Sequence, residues 1–205
     1  MKRNLCRIGL AVVLILGLAS AARAETRMLK YEGNVARVFS ETLDPGGCIN
    51  TWIDVYLFEI DYRTIPAPPV PSHVLIFFMS REDLCQSIPL NLVYGSVFLS
   101  DDDYSFNGMH GAHVSVSLQG SDFVTGATVP LTVDLTWEGQ GGVDQARDRN
   151  RIISPDFKWI FHSRGLVRDA HATGSMVMGT EVLTPSPAAE ASLSSNRQGD
   201  LYIYN

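Results

Sequence analysis

Alternation with a period of two residues constrains this chain more than any other feature. Leu131, Val133, Leu135 and Trp137 fall on one face of an extended segment, while Thr132, Asp134, Thr136 and Glu138 fall on the other. A strand with one buried face needs that pattern, whereas a helix would repeat its apolar groups every three to four residues. Val114, Val116 and Leu118 alternate with His113, Ser115 and Ser117 in the same way. Between residues 51 and 62 both faces are apolar, with Trp52, Tyr56, Phe58, Ile60 and Tyr62 on one and Ile53, Val55 and Leu57 on the other. Such a strand is expected to be covered on both sides.

Residues 28–39, 73–79, 92–99, 158–163, 171–178 and 201–204 read as further strands. Turn chemistry separates them: Asp44-Pro45-Gly46-Gly47, the prolines between 66 and 71, Asn107-Gly108, Gly120-Ser121-Asp122, and the glycines between 139 and 142. Residues 81–88 and 187–193 have room for a helical turn or two, and 139–151 reads as a flexible polar loop carrying Arg147, Arg149 and Arg151. No fixed repeat suggests a propeller or solenoid. The expected fold is all-β: a single antiparallel β-sandwich, or partly closed barrel, of about nine strands.

The first 24 residues stand apart from this pattern. Lys2, Arg3 and Arg7 precede an apolar stretch over 8–18, and Ala22-Arg23-Ala24 follows. That order describes a secretory signal peptide cut after Ala24, because 11 residues are too few for a bilayer helix of about 20. Glu25 stands where a lipoprotein would need Cys. The expected organisation is a signal peptide over 1–24 and one domain over 25–205.

Cleavage would take four of the 16 basic side chains and none of the 22 acidic ones, leaving 12 − 22 = −10. Nucleic acid and anionic membrane surfaces are poor partners for such a chain, since both demand a basic footprint. The longest apolar run after residue 24, 74–79, is too short to span a bilayer as a helix. A secreted or periplasmic protein without a transmembrane segment is expected. Cys6 would leave with the leader, and Cys48 and Cys85 form an even pair in an oxidising compartment, which makes them a disulfide. They lack the C-x-x-C spacing of a redox pair, and no other thiolate is left to build a metal cage.

Candidate chemistry gathers in two places. In Asp101-Asp102-Asp103-Tyr104-Ser105-Phe106-Asn107-Gly108, the residues Asp103, Ser105 and Asn107 match the first half of a calcium loop. Val114 occupies the position of the bidentate Glu, so a calcium hand is rejected. Asp101 and Asp103 can still hold a structural ion; the plainer reading is an acidic hairpin tip. His110 and His113 follow, and two imidazoles beside carboxylates suit a transition metal. Residues three apart on a strand face opposite ways, however, so the pair needs a bulge at Gly111. Ordinary surface histidines are the plainer reading of the pair, and no cofactor is expected; calcium or a transition metal at Asp101, Asp103, His110 and His113 is the alternative the spacing admits.

The second place is basic. Arg147, Arg149 and Arg151, with Arg164, Arg168, Asp169 and His171, can assemble a patch that grips a carboxylate or phosphate through bidentate arginine contacts. Asp148, Asp156 and Asp169 are placed to neutralise it. Among the tryptophans, Trp137 and Trp52 read as core, and Trp159 lies on a segment with no clear inner face. No G-x-S-x-G elbow, phosphate loop or dinucleotide fingerprint occurs. The sequence therefore points to a non-catalytic secreted binding or structural module for an unspecified extracellular ligand or protein. An extracellular hydrolase with dispersed loop residues, with or without metal assistance, is the alternative.

Overall fold

A computed structural model describes residues 25–65, 70–154 and 157–204; the expected leader and prolines 66, 68 and 69 lie outside the described residues. The regular elements are strands: β1 (Glu25–Leu43), β2 (Ile49–Ile65), β3 (Val70–Asp83), β4 (Ile88–Phe98), β5 (Tyr104–Phe106), β6 (Gly111–Asp122), β7 (Thr128–Gly139), β8 (Asp144–Ile153), β9 (Phe157–Met178), β10 (Glu181–Leu183) and β11 (Glu190–Tyr204). All pair antiparallel in one large sheet that partly closes on itself. Going round it, β9 pairs with β11, then follow β1, β2, β3, β4, β6 and β7, and β7 returns to β9. No described helix is long and apolar enough to cross a membrane.

The 22-residue β9 makes this closure. Its first part lies between β11 and β8, and its second part between β7 and β10. Gly174 sits on the second part with φ 118°, and a Cβ there would meet the Asp134 carbonyl oxygen at 2.1 Å. Only glycine permits both that conformation and so close an approach of β9 to β7.

Alternation then decides what is inside. Ala36 and Val38, Val55 and Leu57, Leu75 and Phe77, Val133, Leu135 and Trp137 point inward and are almost completely buried. Trp137 donates its indole N–H to the Arg37 carbonyl oxygen at 3.0 Å, so its one polar atom is satisfied inside the core. Burying these side chains stabilises the fold by roughly 1.5–3 kcal/mol each before chain entropy is subtracted.

One end of the molecule is closed by several ties. Cys48 and Cys85 form the disulfide, joining the β1–β2 turn to the β3–β4 turn. Arg81 on β3 pairs with Glu181 on β10. The backbone N–H of Ser186 donates to the Ser40 hydroxyl at 2.9 Å, drawing the segment before β11 over the core.

Several sequence expectations change here. Residues 81–88 form the end of β3, a turn and the start of β4, and 187–193 run into β11. The two strands expected over 158–163 and 171–178 are one, β9. The polar stretch 139–151 is a strand from Asp144 onward, pairing among the described residues with β9 alone. An edge strand open to water needs no apolar alternation, and its charges guard against pairing with another chain, so composition disguised it as a loop. Trp52, expected in the core, is half-buried on the outer face of β2 against Phe39, with ring centroids 6.3 Å apart. That face is shielded by neighbouring rings and by Arg37, whose guanidinium pairs with Asp54 and lies 5.2 Å over the Tyr56 ring.

The narrowest seam of the ring joins β4 to β6 through three residue pairs, Val93 with Asp122, Tyr94 with Ser121 and Gly95 with Gly120. Asp122 is buried there and accepts hydrogen bonds from Asn91, the Leu92 and Val124 backbone N–H groups and Thr125. Burial alone would raise its pKa, but these donors together hold it well below the usual carboxylate range. A depressed folded value gives stability that is present above the unfolded value near pH 4 and is lost as pH falls below it. Asp122→Asn should therefore cost about 2–3 kcal/mol in urea unfolding at pH 7. The variant should also lose less stability than the parent between pH 5 and pH 2; identical acid profiles would contradict this role.

Candidate anion-binding cleft

Away from the disulfide end, β1, β2, β8, β9 and β11 continue beyond the packed core, and their inner face turns from apolar to charged. Lys30, Gly199, His162 and Arg149 stand opposite one another on β1, β11, β9 and β8. Two residues along the same face, Glu32, Arg197, Arg164 and Arg147 form a second row. Neighbouring strands are about 4.8 Å apart and the rows about 6.7 Å apart, so the charged groups share a small area. Both rows line an open cleft of about 860 Å³.

Gly199 forms the hollow. A Cβ at this position would meet nothing within 4 Å, so the surrounding side chains leave space above the backbone. Arg197 pairs with Glu32, and that carboxylate raises the guanidinium pKa further above its ordinary value. Both partners are exposed, and such pairs add little stability. Among the described residues, no carboxylate pairs with Lys30, Arg147, Arg149 or Arg164. Asp148 lies at the rim, but alternation assigns its side chain to the opposite face of β8. Five cationic side chains and His162 therefore share the cleft with Glu32, and Asp61 continues Glu32's row on β2.

The basic patch expected from sequence is only partly assembled. Arg147, Arg149, Arg151 and Arg164 share the inner face. Arg168 instead donates to the carbonyl oxygens of Met109, at 3.0 Å, and Gln140, at 3.3 Å, tying the β7–β8 connection and the β5–β6 corner to β9. Asp169 and His171 lie exposed on the outer face, and Asp156 lies outside the described residues. Trp159 also belongs to the outer face, 5.8 Å from Phe161 between ring centroids and 6.4 Å from Tyr202. Lys30, Glu32, Arg197 and Gly199 escaped the sequence reading. The only signal for them was their parity on strands whose mutual register cannot be read from one chain.

The candidate metal ligands are placed as follows. Asp103 accepts from the Ser100 N–H and hydroxyl at 2.8 and 2.7 Å, which closes the tip and lowers its pKa. Asp101 is exposed, with an oxygen 4.0 Å from His73 Nδ1. His110 is exposed in the β5–β6 turn, where its backbone N–H donates to the Asn107 carbonyl. His113 Nδ1 shares a hydrogen bond with the Thr136 hydroxyl at 3.1 Å across the outer face of β6 and β7. Among the described residues, no group of three or more His, Cys, Asp or Glu side chains is arranged to hold a metal ion.

No family model matches the chain, and no curated protein matches it. Among solved structures it is similar to an AttH assignment from Nitrosomonas europaea, with 10% identity, 87% of this chain and 51% of that one covered, and a TM-score of 0.28. It is also similar to the outer membrane protease OmpT of Escherichia coli, with 9% identity, 90% and 97% covered, and a TM-score of 0.18. The chain spans about half the length of the first. At these scores neither likeness bears on function.

Between β5 and β3, the Tyr104 hydroxyl shares a hydrogen bond with His73 Nδ1 at 2.8 Å. Burial, followed by the negative charges of Glu59, Asp101 and Asp61, pushes the phenol up to about 12. Because the folded value exceeds the unfolded one, the associated stability is lost as pH rises from about 10 towards 12. Ultraviolet titration should show one phenol ionising near 12 that disappears in Tyr104→Phe; a Tyr104 titrating near 10 would contradict this packing.

Proposed function

We propose that the protein is an exported, non-catalytic binding module whose cleft between β8, β9, β11 and β1 receives an anionic group. One observation carries the reading: alternate residues on four paired strands bring Arg147, Arg149, Arg164, Arg197 and Lys30 onto one concave face. The whole chain is acidic, with a formal charge of −6, so this concentration of cations is a local departure from its overall balance. Arginine suits the task because its planar fork can donate two hydrogen bonds to one carboxylate or phosphate.

A cleft also screens charge less than a flat surface does. Two or three charge-assisted contacts, less the cost of association, correspond to a dissociation constant on the order of 0.1–1 mM for a small dianion at low salt. The leader and the Cys48–Cys85 disulfide support an oxidising compartment outside the cytoplasm.

Calorimetry with inorganic phosphate tests this directly. Binding should weaken at least fivefold in Arg149→Ala and again in Arg164→Ala, fade as sodium chloride rises, and persist in the outer-face variant His171→Ala. Undiminished phosphate binding by the Arg149→Ala/Arg164→Ala double variant would overturn the assignment.

A further inference from the structure

The charged rows have an apolar neighbour. One step further along the same inner face from Lys30, Gly199 and His162, in the row that Arg151 ends on β8, the register places Met28, Leu201 and Ile160 opposite one another. All three are half-buried. Beyond them on the same face stands Ile203, followed across the ladders by Lys158 and Ile153, the last 59% exposed. The hollow at Gly199 is thus bordered along the strands by Arg197 on one side and Leu201 on the other, with Lys30 and His162 across it. A free inorganic anion would use only half of this surface.

We infer that the ligand is a single-chain anionic amphiphile, with its carboxylate or phosphate head at Gly199 among Lys30, His162 and Arg164 and its hydrocarbon chain along Met28, Leu201 and Ile160. This rests on the cleft reading above and adds the chemistry of the ligand. Charge complementarity fixes the orientation, since the head group belongs in the two rows that hold Lys30, Arg147, Arg149, Arg164 and Arg197, and the chain on the neighbouring row, where Arg151 at the β8 end is the one cation among the described residues. The occupant is a dispersed molecule rather than a membrane surface. The cleft that takes the head group is concave, and it belongs to a protein whose net negative charge repels an anionic bilayer. Each methylene removed from water multiplies affinity about fourfold, so seating even part of a chain outweighs the head group's contribution.

The test compares acetate with dodecanoate below its micelle concentration, by calorimetry on the protein from Glu25 onward. Dodecanoate should bind at least a hundredfold more tightly than acetate. Leu201→Asn should cost dodecanoate about tenfold while leaving acetate unchanged, and Gly199→Phe, which fills open space, should abolish both with the circular dichroism spectrum retained. Acetate and dodecanoate binding equally would overturn the amphiphile and leave the anion cleft standing. Dodecanoate binding that ignores Arg149→Ala/Arg164→Ala would overturn the cleft itself. Sedimentation with phosphatidylglycerol vesicles, without binding of free dodecanoate, would overturn the inference in favour of a membrane surface.

Discussion

The hydrogen-bonded ladders along β9 hold the rest of the molecule in register. Four strands pair with this one, β11 and β8 along its first part and β7 and β10 along its second. Through β7 and β11 it joins the two ends of an otherwise open sheet. A slip of one residue on β9 would turn Ala172 and Met176 outward and would move His162 and Arg164 off the concave face at the same time. Closure of the core and assembly of the cleft are therefore one structural event.

The same inner face does different work along its length. Near the disulfide end it meets inner faces from the other side of the ring, and its residues are apolar and buried, with Trp137 reaching across to the backbone of β1. Past Ala36 on β1 and Leu193 on β11, the described inner positions are half-buried or exposed. Polar and charged groups can occupy inward positions there because water still reaches them. Arg168 lies at the boundary, its guanidinium taken up by two backbone carbonyl groups. Beyond it, among the described residues, the guanidinium groups of Arg147, Arg149 and Arg164 have no such carbonyl partners, and the proposed anion site is built from them.

The fold class was legible because burial on one face writes itself into alternate residues: 131–137 and 114–118 predicted β7 and β6 directly. The cysteine pair was legible from compartment logic. β8 was not, because an exposed edge strand owes nothing to a core and carries the composition of a loop. Trp52 was misplaced for a related reason: aromatic side chains that shelter one another on an outer face leave the same doubly apolar pattern as a strand between two layers. Half of the cleft was foreseen through its arginines. The other half depended on register between β1, β11 and β9, and pairing between strands far apart in sequence leaves no trace in the spacing of residues along one of them.

The central claim is that β8 is registered on β9 with Arg149 directly opposite His162 and on the same face. Opposite residues of antiparallel strands have Cα atoms about 4.5–5.5 Å apart, within reach of a disulfide. Oxidation of an Arg149→Cys/His162→Cys variant should form a second intramolecular disulfide, detected by peptide mapping, while Asp148→Cys/His162→Cys should not, since those side chains point to opposite faces. Efficient bridging from position 148, or none from either, would contradict the register from which the cleft is built.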